Sequence, residues 1–363
     1  MSKRSLALVA AVAALSTGLA ACGGDDDSAG SGSTSAPAGK VGVILPDSAS
    51  SARWETADRK FLTEAFTTAG VEADIQNANG DKAKFSTLCD QMINGGVSVL
   101  MIVNLDSETG AACEKKAAAQ GIKTIDYDRL TLGGEATYYV SFDNVAVGTA
   151  QGEGLVTCMK NLGKDSGPVA LLNGSPTDNN ATLFKQGYEA AITSAGYTIA
   201  DDQSVPDWDN TQAGTIFEQM FTKANGNFVG VDAANDGLGG AVIAVLEKNK
   251  VAGKIPVTGQ DATDEGLQRV LLGTQCMTVY KAIKAEAEAA SKLAIALSKG
   301  EAPTVSGVTK DTVTGKDVAS ELLVPVGIFP ETVKDVVADG FTTAAKLCTT
   351  AELKAACTKY GVS

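Results

Sequence analysis

Polar and aromatic side chains cluster just after the predicted strands of this chain. Asp128-Arg129 follows one apolar run and Asn235-Asp236 follows another. The full set of candidate site residues is Arg53, Trp54, Asp128, Arg129, Asn180, Trp208, Asn235, Asp261 and Lys281. Carboxylate, amide and guanidinium groups can bridge neighbouring hydroxyls, which donate and accept hydrogen bonds at once. An indole can also lie flat on the apolar C–H face of a pyranose ring. This combination indicates a site for a monosaccharide.

The tryptophan count strengthens this interpretation. The chain has only two tryptophans, and both belong to the candidate set. Gln260, directly before Asp261, also follows a predicted strand.

Each candidate has a simpler explanation when it is considered alone. Arg53-Trp54 could be a packing pair at the start of a helix, and Asp128-Arg129 could be an ion pair on the surface. Asn179 or Asn180 could cap a helix, and Asn235-Asp236-Gly237 could form a turn. Lys281 could be a solvated side chain. Their joint occurrence at strand exits is what favours a ligand site.

The elements that must position these residues alternate along the chain. Apolar strands are predicted at residues 40–45, 72–76, 97–103, 123–126, 169–172, 228–232, 256–258, 275–279 and 322–326. Helical patterns lie between them, over residues 56–69, 85–94, 180–194 and 239–249, and another runs from 281 to 298. Apolar strands that alternate with amphipathic helices predict an α/β fold with parallel sheets. The pattern restarts after a changeover near residues 142–147. We therefore expect two Rossmann-like lobes joined by a hinge, with a ligand between them at the carboxyl ends of the strands.

The N-terminus has the pattern of a lipoprotein signal over residues 1–22. Lys3 and Arg4 precede an apolar stretch, residues 5–18, that is too short to span a bilayer. Small residues then lead to Cys22, whose thiol is the predicted lipid attachment point. An ordinary cleaved signal with an incidental cysteine is the alternative. Residues 23–39 are predicted to be a flexible linker, so the protein is expected to be exported and anchored to the outer face of the cytoplasmic membrane.

Composition excludes several classes of function. The formal net charge of −13 argues against nucleic acid as a partner. The chain has no histidine, which removes Ser-His and Cys-His catalysis and histidine-bound zinc. Gly152-x-Gly154 lacks the third glycine of a dinucleotide fingerprint, and no phosphate-binding loop occurs. We therefore expect no cofactor and no metal.

Six cysteines remain after Cys22, an even number that suggests up to three disulfides in an exported protein. Cys89 and Cys113 fall on successive predicted helices, and Cys348 and Cys357 are close in sequence. Pairing them in this way leaves Cys158 with Cys276. Spacing does not fix connectivity, so other pairings stay open.

Several motifs taken together resemble the periplasmic xylose-binding proteins of ABC importers and the related multiple-sugar-binding proteins. The segments that carry the resemblance include KVGVILPDSASSARWETADRKF, GIKTIDYDR, NGSPTDNNATLFKQG, NDGLGGA, TGQDA and GTQCMTVYK. It extends from about residue 40 to about residue 340. QSVPDW lacks an aromatic residue that is associated with the xylose proteins, which leaves the identity of the sugar open.

The resemblance implies a type I periplasmic binding protein, a clamshell that closes over one aldopyranose. The N-terminal lobe would comprise residues 40–143 and 281–325, and the C-terminal lobe residues 144–280 and 326–363. Trp54 and Trp208 would sandwich the sugar ring. Hydroxyls would be held from the N-terminal lobe by Arg53, Asp128 and Arg129, from the C-terminal lobe by Asn180, Asn235 and Asp261, and between the lobes by Lys281.

The implied partners are a monosaccharide and an ABC permease. The ATPase is expected on a separate chain because this one has no phosphate-binding loop. A monomer is expected because a cleft that closes about a hinge needs no symmetric partner. D-xylose is the expected sugar, and a broader range of aldoses is the alternative. A sensory receptor would use the same pocket. An enzyme with Asp128 and Asp261 as acid and base is a weaker rival. A transcriptional regulator is excluded in practice, because an export signal stands where a DNA-binding segment would be.

Overall fold

The strands lie in three sheets, in a computed structural model that describes residues 38–363. The strands are β1 Val41–Leu45, β2 Ala73–Asn77, β3 Val99–Ile102, β4 Lys123–Tyr127, β5 Tyr138–Phe142, β6 Pro168–Asn173, β7 Thr198–Ser204, β8 Gly230–Ala233, β9 Thr278–Tyr280, β10 Gly307–Lys310, β11 Asp317–Leu323 and β12 Val326–Ile328.

The helices alternate with the strands over most of the described chain. They are α1 Arg59–Ala69, α2 Lys82–Asn94, α3 Ser107–Ala119, α4 Asn144–Asn161, α5 Asn179–Ser194, α6 Asn210–Lys223, α7 Asp236–Lys248, α8 Asp264–Leu272, α9 Ile283–Ser298, α10 Val333–Ala338, α11 Ala344–Leu347 and α12 Ala351–Tyr360. Short helical turns occur at Trp54–Asp58, Pro206–Trp208 and Pro330–Thr332.

The first sheet has seven strands in the order β10-β11-β5-β4-β3-β1-β2. All neighbours are parallel except β10, which is antiparallel to β11. Every residue of β1 is buried, as expected for a strand inside a sheet that is covered on both faces. Its strands come from residues 41–142 and 307–323.

The remaining strands form a second group, here called the second layer; the first sheet is the other layer. The second layer begins with the parallel sheet β7-β6-β8. Parallel bridges between Val231 and Val257 and between Gln260 and Val279 extend it toward β9, which pairs antiparallel with β12. These strands come from residues 168–280 and 326–328. The repeated α/β pattern of the sequence therefore corresponds to two layers of mainly parallel strands.

Most predicted strands occur with boundaries shifted by one to three residues, but two predictions were wrong. Residues 256–258 form only an isolated bridge, and residues 322–326 span the end of β11 and the start of β12. Strands β5, β7 and β10 were not identified. Strand β7 (TIADDQS) lies at the edge of its sheet and is largely exposed, so it lacks the apolar run that marks a buried strand.

Helices α4 and α5 approach each other through glycines. A Cβ on Gly148 would lie 1.9 Å from the carbonyl oxygen of Phe184, and one on Gly152 would lie 2.8 Å from the Cα of Tyr188. A side chain at either position would push the helices apart. Gly152-x-Gly154 thus lies inside a packed helix, in agreement with the rejection of a dinucleotide motif. The contact also fixes the position of Phe184.

The three expected disulfides are present. Cys89–Cys113 joins α2 to α3, Cys158–Cys276 joins α4 to the segment before β9, and Cys348–Cys357 joins the end of α11 to α12. The Cα atoms of the pairs lie 5.9, 6.3 and 6.2 Å apart, within the usual range for a disulfide.

Residues 38–363 contain no group of metal-ligating side chains that could hold an ion, and none of their helices has the length and apolar character needed to cross a bilayer. The predicted signal over residues 1–22, Cys22 and most of the predicted linker over residues 23–39 lie outside the described residues.

Candidate functional site

All nine predicted site residues line one cavity between the two layers, here called the inner cavity. Its walls are Ser50, Ser51, Arg53, Trp54, Asp128, Arg129, Asp178, Asn180, Phe184, Trp208, Asn235, Gln260, Asp261 and Lys281. They follow β1 and β4 of the first sheet, and β6, β7, β8 and β9 with the bridge segment of the second layer. The carboxyl ends of the two sets of strands therefore face the same space, as the topology requires.

The inner cavity is small. Its volume is about 30 Å³, which is room for one or two water molecules. A pentose, with ten carbon and oxygen atoms, needs several times that volume. The side chains that line the cavity form hydrogen bonds and ion pairs with one another across it.

Arg53 lies at the centre of a buried ion network. Its Nε and Nη2 donate to the carboxylate of Asp58 at 2.9 and 2.8 Å, and Nη1 donates to Asp128 at 2.8 Å. Nη2 also donates to Oε2 of Glu286 on α9 at 2.7 Å. Burial alone would lower the pKa of Arg53, but the three carboxyl groups outweigh it and raise that pKa. The guanidinium is therefore permanently charged.

Asp128 is held ionised by its neighbours. Burial acts to raise its pKa, but Lys281, Arg53 and Arg129 outweigh burial and lower the pKa to about 2. The opposite holds for Glu286, because burial raises its pKa well above the ordinary value.

Lys281 follows β9 and is 4% exposed. Its Nζ lies 3.2 Å from Oδ1 of Asp261 and 3.8 Å from Oδ2 of Asp128. One ammonium group therefore connects a carboxylate after a strand of the first sheet with a carboxylate of the second layer.

Further polar contacts join the two layers around the cavity. Asn180 donates from Nδ2 to the backbone oxygen of Asp128 at 2.9 Å and to its Oδ1 at 3.1 Å. The Nε of Arg129 lies 3.1 Å from Oδ2 of Asp178. Ser51 and Asn235 form further hydrogen bonds between the layers.

The hydrogen bonds of Ser51 and Asn235 involve the loop after β1. The Oγ of Ser51 donates to Oδ2 of Asp261 at 3.0 Å, and Nδ2 of Asn235 donates to the backbone oxygen of Ser50 at 3.2 Å. The loop is braced by Asp47, which accepts from the backbone N–H groups of Ala49 and Ser50.

The two tryptophans are almost fully buried, at 2% exposure for Trp54 and 5% for Trp208. The guanidinium carbons of Arg53 and Arg129 lie 4.3 and 5.5 Å from the centre of the Trp54 ring, within cation–π range. Trp208 donates from Nε1 to Oδ2 of Asp178 at 3.1 Å and packs edge-to-face against Phe184. Both indoles are thus oriented by polar neighbours.

Three cavity residues have left-handed backbone angles, with φ of 63° at Asp128, 56° at Trp208 and 92° at Asp261. Such angles are uncommon outside glycine and are held only where the surroundings fix the backbone. Each of the three follows a strand or bridge, and its side chain lines the inner cavity.

Most of the simpler explanations are wrong. Asp128 and Arg129 are buried and pair with other residues, and Lys281 is not solvated. The cap of α5 is Asp178 and neither Asn179 nor Asn180. Asn235 does cap α7, accepting from the N–H of Leu238, while its Nδ2 contacts Ser50.

Five residues that line the inner cavity are outside the set predicted from the sequence. Ser50 and Ser51 lie in the loop after β1, Asp178 caps α5, Phe184 lies inside α5, and Gln260 was noted but not placed in the candidate set. A search of every helix cap that follows a strand would have found Asp178, since the cap lies at the strand exit. No local signal marks Phe184, which resembles any core residue of an amphipathic helix.

Two acceptors in the cavity wall have no hydrogen-bond donor within residues 38–363. These are Oε1 of Gln260 and Oδ1 of Asp261, the latter facing the Lys281 ammonium without a well-aligned hydrogen bond. Buried acceptors are rarely left unpaired, so each one in a native structure has a specific cause. A ligand with hydroxyl donors would satisfy both.

Gly174 makes room for Trp208, which leads to a first prediction. A Cβ on Gly174 would lie 2.1 Å from Cη2 of the Trp208 indole, a rigid group that cannot yield. We expect Gly174→Ala to destabilise the fold by about 1–3 kcal/mol and to expose the indole, because overpacking forces neighbours to shift. Urea unfolding and tryptophan emission in a Trp54→Phe background measure the two effects.

The matched control is Gly214→Ala in α6, where a Cβ meets no atom within 4 Å. This change should stabilise slightly or be neutral. An unchanged emission maximum and unchanged stability in Gly174→Ala would contradict the placement of Trp208.

The depressed pKa of Asp128 predicts a pH-dependent contribution to stability. The unfolded-state pKa of an aspartate is about 3.9, and the folded value is about 2, so the contribution is present above about pH 4 and is lost as the pH falls toward 2. Asp128→Asn keeps a residue type that tolerates the left-handed backbone. It should lower the unfolding free energy by about 2–3 kcal/mol at pH 7. Urea unfolding at pH 7, 5 and 3 should show the difference narrowing at the lowest pH.

The control for this series is Asp90→Asn, whose exposed pair with Lys116 should contribute no more than about 1 kcal/mol. If the free energy of unfolding differed between wild type and Asp128→Asn by the same amount at pH 3 as at pH 7, the charge of Asp128 would not be what stabilises the site.

Comparison with known proteins identifies relatives over most of the chain. The family described as "Periplasmic binding protein domain" matches residues 41–302. The D-xylose-binding periplasmic protein of Escherichia coli is 34% identical over 307 residues, which cover 83% of this chain and 90% of that protein. The multiple sugar-binding periplasmic receptor ChvE of Rhizobium radiobacter is 30% identical over 327 residues and covers 83% and 90%.

Solved structures support the same assignment. A carbohydrate transporter solute binding protein from Chloroflexus aurantiacus, solved in complex with D-glucose, superposes with a TM-score of 0.76 at 28% identity, over 84% of this chain and 97% of that one. The α/β fold of two layers is thus the type I fold that the sequence predicted. The chain belongs to the periplasmic binding protein family.

Proposed function

We propose that this protein is an extracytoplasmic receptor that captures a monosaccharide in the inner cavity and delivers it to an ABC import permease whose ATPase is a separate chain. D-xylose is the proposed sugar, and the working form is a monomer without cofactor. The family assignment supports the transport role, and the residues of the cavity support the class of ligand.

The observation that carries the proposal is the composition of the inner cavity. It brings together two indoles, four carboxylates or amides of the predicted set, two guanidiniums and an ammonium, together with the unpaired acceptor of Gln260. Hydroxyls that donate and accept suit such a mixed wall, and a sugar ring suits the indoles.

The proposed mechanism requires the two layers to separate before a sugar enters. The lobes are residues 40–143 with 281–325, and residues 144–280 with 326–363, and they would rotate about the segments between them. The sugar would then replace the contacts that Asp128 makes with Asn180 and Lys281. A ligand that bonds to both lobes favours the closed form by its own binding energy.

The choice of sugar rests on the relatives. The Escherichia coli relative is described as a D-xylose-binding protein, whereas ChvE is described as binding multiple sugars and the Chloroflexus protein was solved with D-glucose. A broader aldose receptor, serving uptake or sensing, is therefore the alternative. A cavity that excludes the hydroxymethyl group of hexoses would give preference to xylose.

Hydrolysis of a glycoside is disfavoured by the charges in the site. A general acid needs a raised pKa, but the pKa of Asp128 is lowered to about 2. Recovery of a sugar changed in structure after incubation with the protein would contradict the proposal that it only binds.

Sugar binding is tested by titrating the full chain, in a detergent without a sugar headgroup, with D-xylose, glucose, galactose, arabinose and ribose. The readout is intrinsic tryptophan fluorescence, which only Trp54 and Trp208 provide. We expect a saturable change with xylose and a weaker one with hexoses. Equal responses to several aldoses favour the alternative, and no response to any of them in a folded sample contradicts the site assignment.

Gln260→Leu sharpens that test, because it removes an unpaired acceptor without breaking a hydrogen bond within residues 38–363. We expect the Kd for the sugar to rise about tenfold, corresponding to about 1.4 kcal/mol, with little change in stability. Gln219→Leu on the exposed face of α6 is the control.

Anchoring at Cys22 is also part of the proposal, and it rests on the sequence pattern of residues 1–22. We expect cells fed with radiolabelled palmitate to label the wild-type protein and not Cys22→Ser, and the variant to be released from the membrane fraction. Equal labelling of both would mean that Cys22 is not the attachment site.

A further inference from the structure

The first residue of α7, Asp236, has a buried carboxylate that accepts several hydrogen bonds. Asp236 follows Asn235, a wall residue of the inner cavity, but its own side chain is 1% exposed and lies outside the cavity walls. Oδ1 accepts from Nε2 of Gln275 at 2.7 Å and from the hydroxyl of Thr278 at 2.8 Å. Oδ2 accepts from the backbone N–H of Thr263 at 2.8 Å and from its hydroxyl at 3.2 Å. This arrangement fits an ionised carboxylate, which only accepts hydrogen bonds.

The bonds to Asp236 hold the segment of residues 260–263, which contains two wall residues of the inner cavity. The backbone N–H of Asp236 donates to the carbonyl oxygen of Gln260 at 3.0 Å, and its carboxylate binds the last residue of the segment. The hydroxyl of Thr278 also accepts from the N–H of Ala262 at 3.3 Å. One hydroxyl thus joins the carboxylate to Ala262, and Asp236 holds the segment at both of its ends.

The middle of this segment is a turn with unusual backbone angles. Asp261 and Ala262 both have left-handed backbones, with φ of 92° and 48°. Such angles are uncommon outside glycine, and alanine has no polar side chain that could support one. Two in succession persist only where the surroundings fix the backbone. The hydrogen bonds to Asp236 lie on either side of this turn.

Two glycines leave the space that the carboxylate of Asp236 occupies. A Cβ on Gly259 would lie 2.1 Å from Oδ1 of Asp236, and one on Gly266 would lie 2.2 Å from Oδ2. A side chain at either position would displace the carboxylate. Arg269 of α8 adds a hydrogen bond from Nη2 to the backbone oxygen of Asp236 at 2.6 Å. The packing here is therefore built around an acceptor at position 236.

We infer that Asp236 is a positioning residue for sugar binding, whose carboxylate fixes the turn at residues 261–262 and so orients Gln260 and Asp261 toward the ligand. The inference rests on the proposed function of the inner cavity. Because Asp236 lies outside the cavity walls, it acts on the sugar through these two wall residues. Loss of the carboxylate relaxes the turn and moves both side chains.

Protonation tests the same residue in a second way. Burial raises the pKa of Asp236 to about 6, against the opposing effects of Arg269 and Gln275, and the charge of Asp261 adds to the rise. Arg269 on α8 and Asp261 before α8 are the charged groups that act on it. The carboxylate is therefore ionised at pH 7 and mostly protonated at pH 5. A protonated oxygen accepts less well, so sugar affinity is full above the pKa and falls as the pH drops through it.

The experiment measures the Kd of the full chain for D-xylose and the other four aldoses by calorimetry at pH 7, 6 and 5. The test variant is Asp236→Asn, which keeps the shape of the side chain but replaces an acceptor oxygen with a donor. We expect its Kd at pH 7 to be about tenfold above that of the wild type, as for the loss of one hydrogen bond to a charged group. The ratio of the two Kd values should fall to about twofold at pH 5, because the wild type is then mostly protonated. Other titrating groups are present in both proteins and cancel in this ratio.

Two further variants separate positioning from stability. Asp311→Asn is the control, because Asp311 is a buried carboxylate that braces the turn between β10 and β11 and lies outside the cavity walls. It should lower the free energy of unfolding in urea and leave the Kd within twofold. Thr278→Val removes the hydroxyl between Asp236 and Ala262 but keeps the carboxylate. It should raise the Kd at least threefold and still show weaker binding at pH 5 than at pH 7.

A Kd for Asp236→Asn within twofold of the wild type at pH 7 overturns the inference. A ratio that is the same at pH 7 and pH 5 also overturns it, because a merely structural role gives that result. If Asp236→Asn does not fold, Thr278→Val decides, and a Kd within twofold of the wild type overturns the inference. Binding of none of the aldoses by the folded wild type contradicts the proposed function, and the inference with it.

Discussion

The buried guanidinium of Arg53 must be neutralised where water does not reach it, and much of the structure around the site follows from that requirement. An unpaired charge in such a place is expensive, so a buried ion persists only with well-aligned partners. Asp58 supplies a bidentate partner from the turn after β1, and Tyr127 donates to the same carboxylate from β4. Glu286 brings in α9, a helix that is far away in sequence. The same network therefore holds the site and ties a late segment to the first sheet.

The electrostatic chain continues from Arg53 into the second layer. Asp128 accepts from Arg53 and faces the ammonium of Lys281, which also faces Asp261. Charges alternate in sign along this path, and the positive groups outweigh burial and lower the pKa of Asp128. A movement of one layer relative to the other would have to break the hydrogen bond from Asn180 to Asp128 and one of the two ion pairs of Lys281. It would also have to break the contacts of Arg129, Ser51 and Asn235 between the layers. Strong contacts between the layers are therefore located at the cavity itself and are sensitive to what enters it.

The sequence supports the fold and most of the site because both depend on local patterns. Buried parallel strands are continuous apolar runs, and their polar exits are close in sequence, so Arg53, Asn180 and Lys281 can be placed without a structure. What escapes prediction depends on tertiary contacts. The partners of Arg53 are Asp58 and Glu286, which lie in helical segments of ordinary composition. Phe184 has the sequence pattern of a core residue, and it lies beside the cavity because α5 packs closely on Gly148 of α4. The edge strand β7 was missed because it has little apolar character, although it delivers Trp208.

The affinity of the site for a ligand depends on the bonds that the ligand must replace. The hydrogen bond from Asn180 to Asp128 and the ion pairs of Lys281 with Asp128 and Asp261 are already formed within the protein, so a hydroxyl that replaces one of them exchanges one polar contact for another with little net gain. The Oε1 acceptor of Gln260 is different, because it has no donor within the described residues and gains a hydrogen bond outright. The apolar face of a ring against the indoles adds a second gain that water cannot match. Selectivity among sugars should therefore depend mainly on whether a hydroxyl reaches Oε1 of Gln260, and less on the larger set of charged residues that first marks the site.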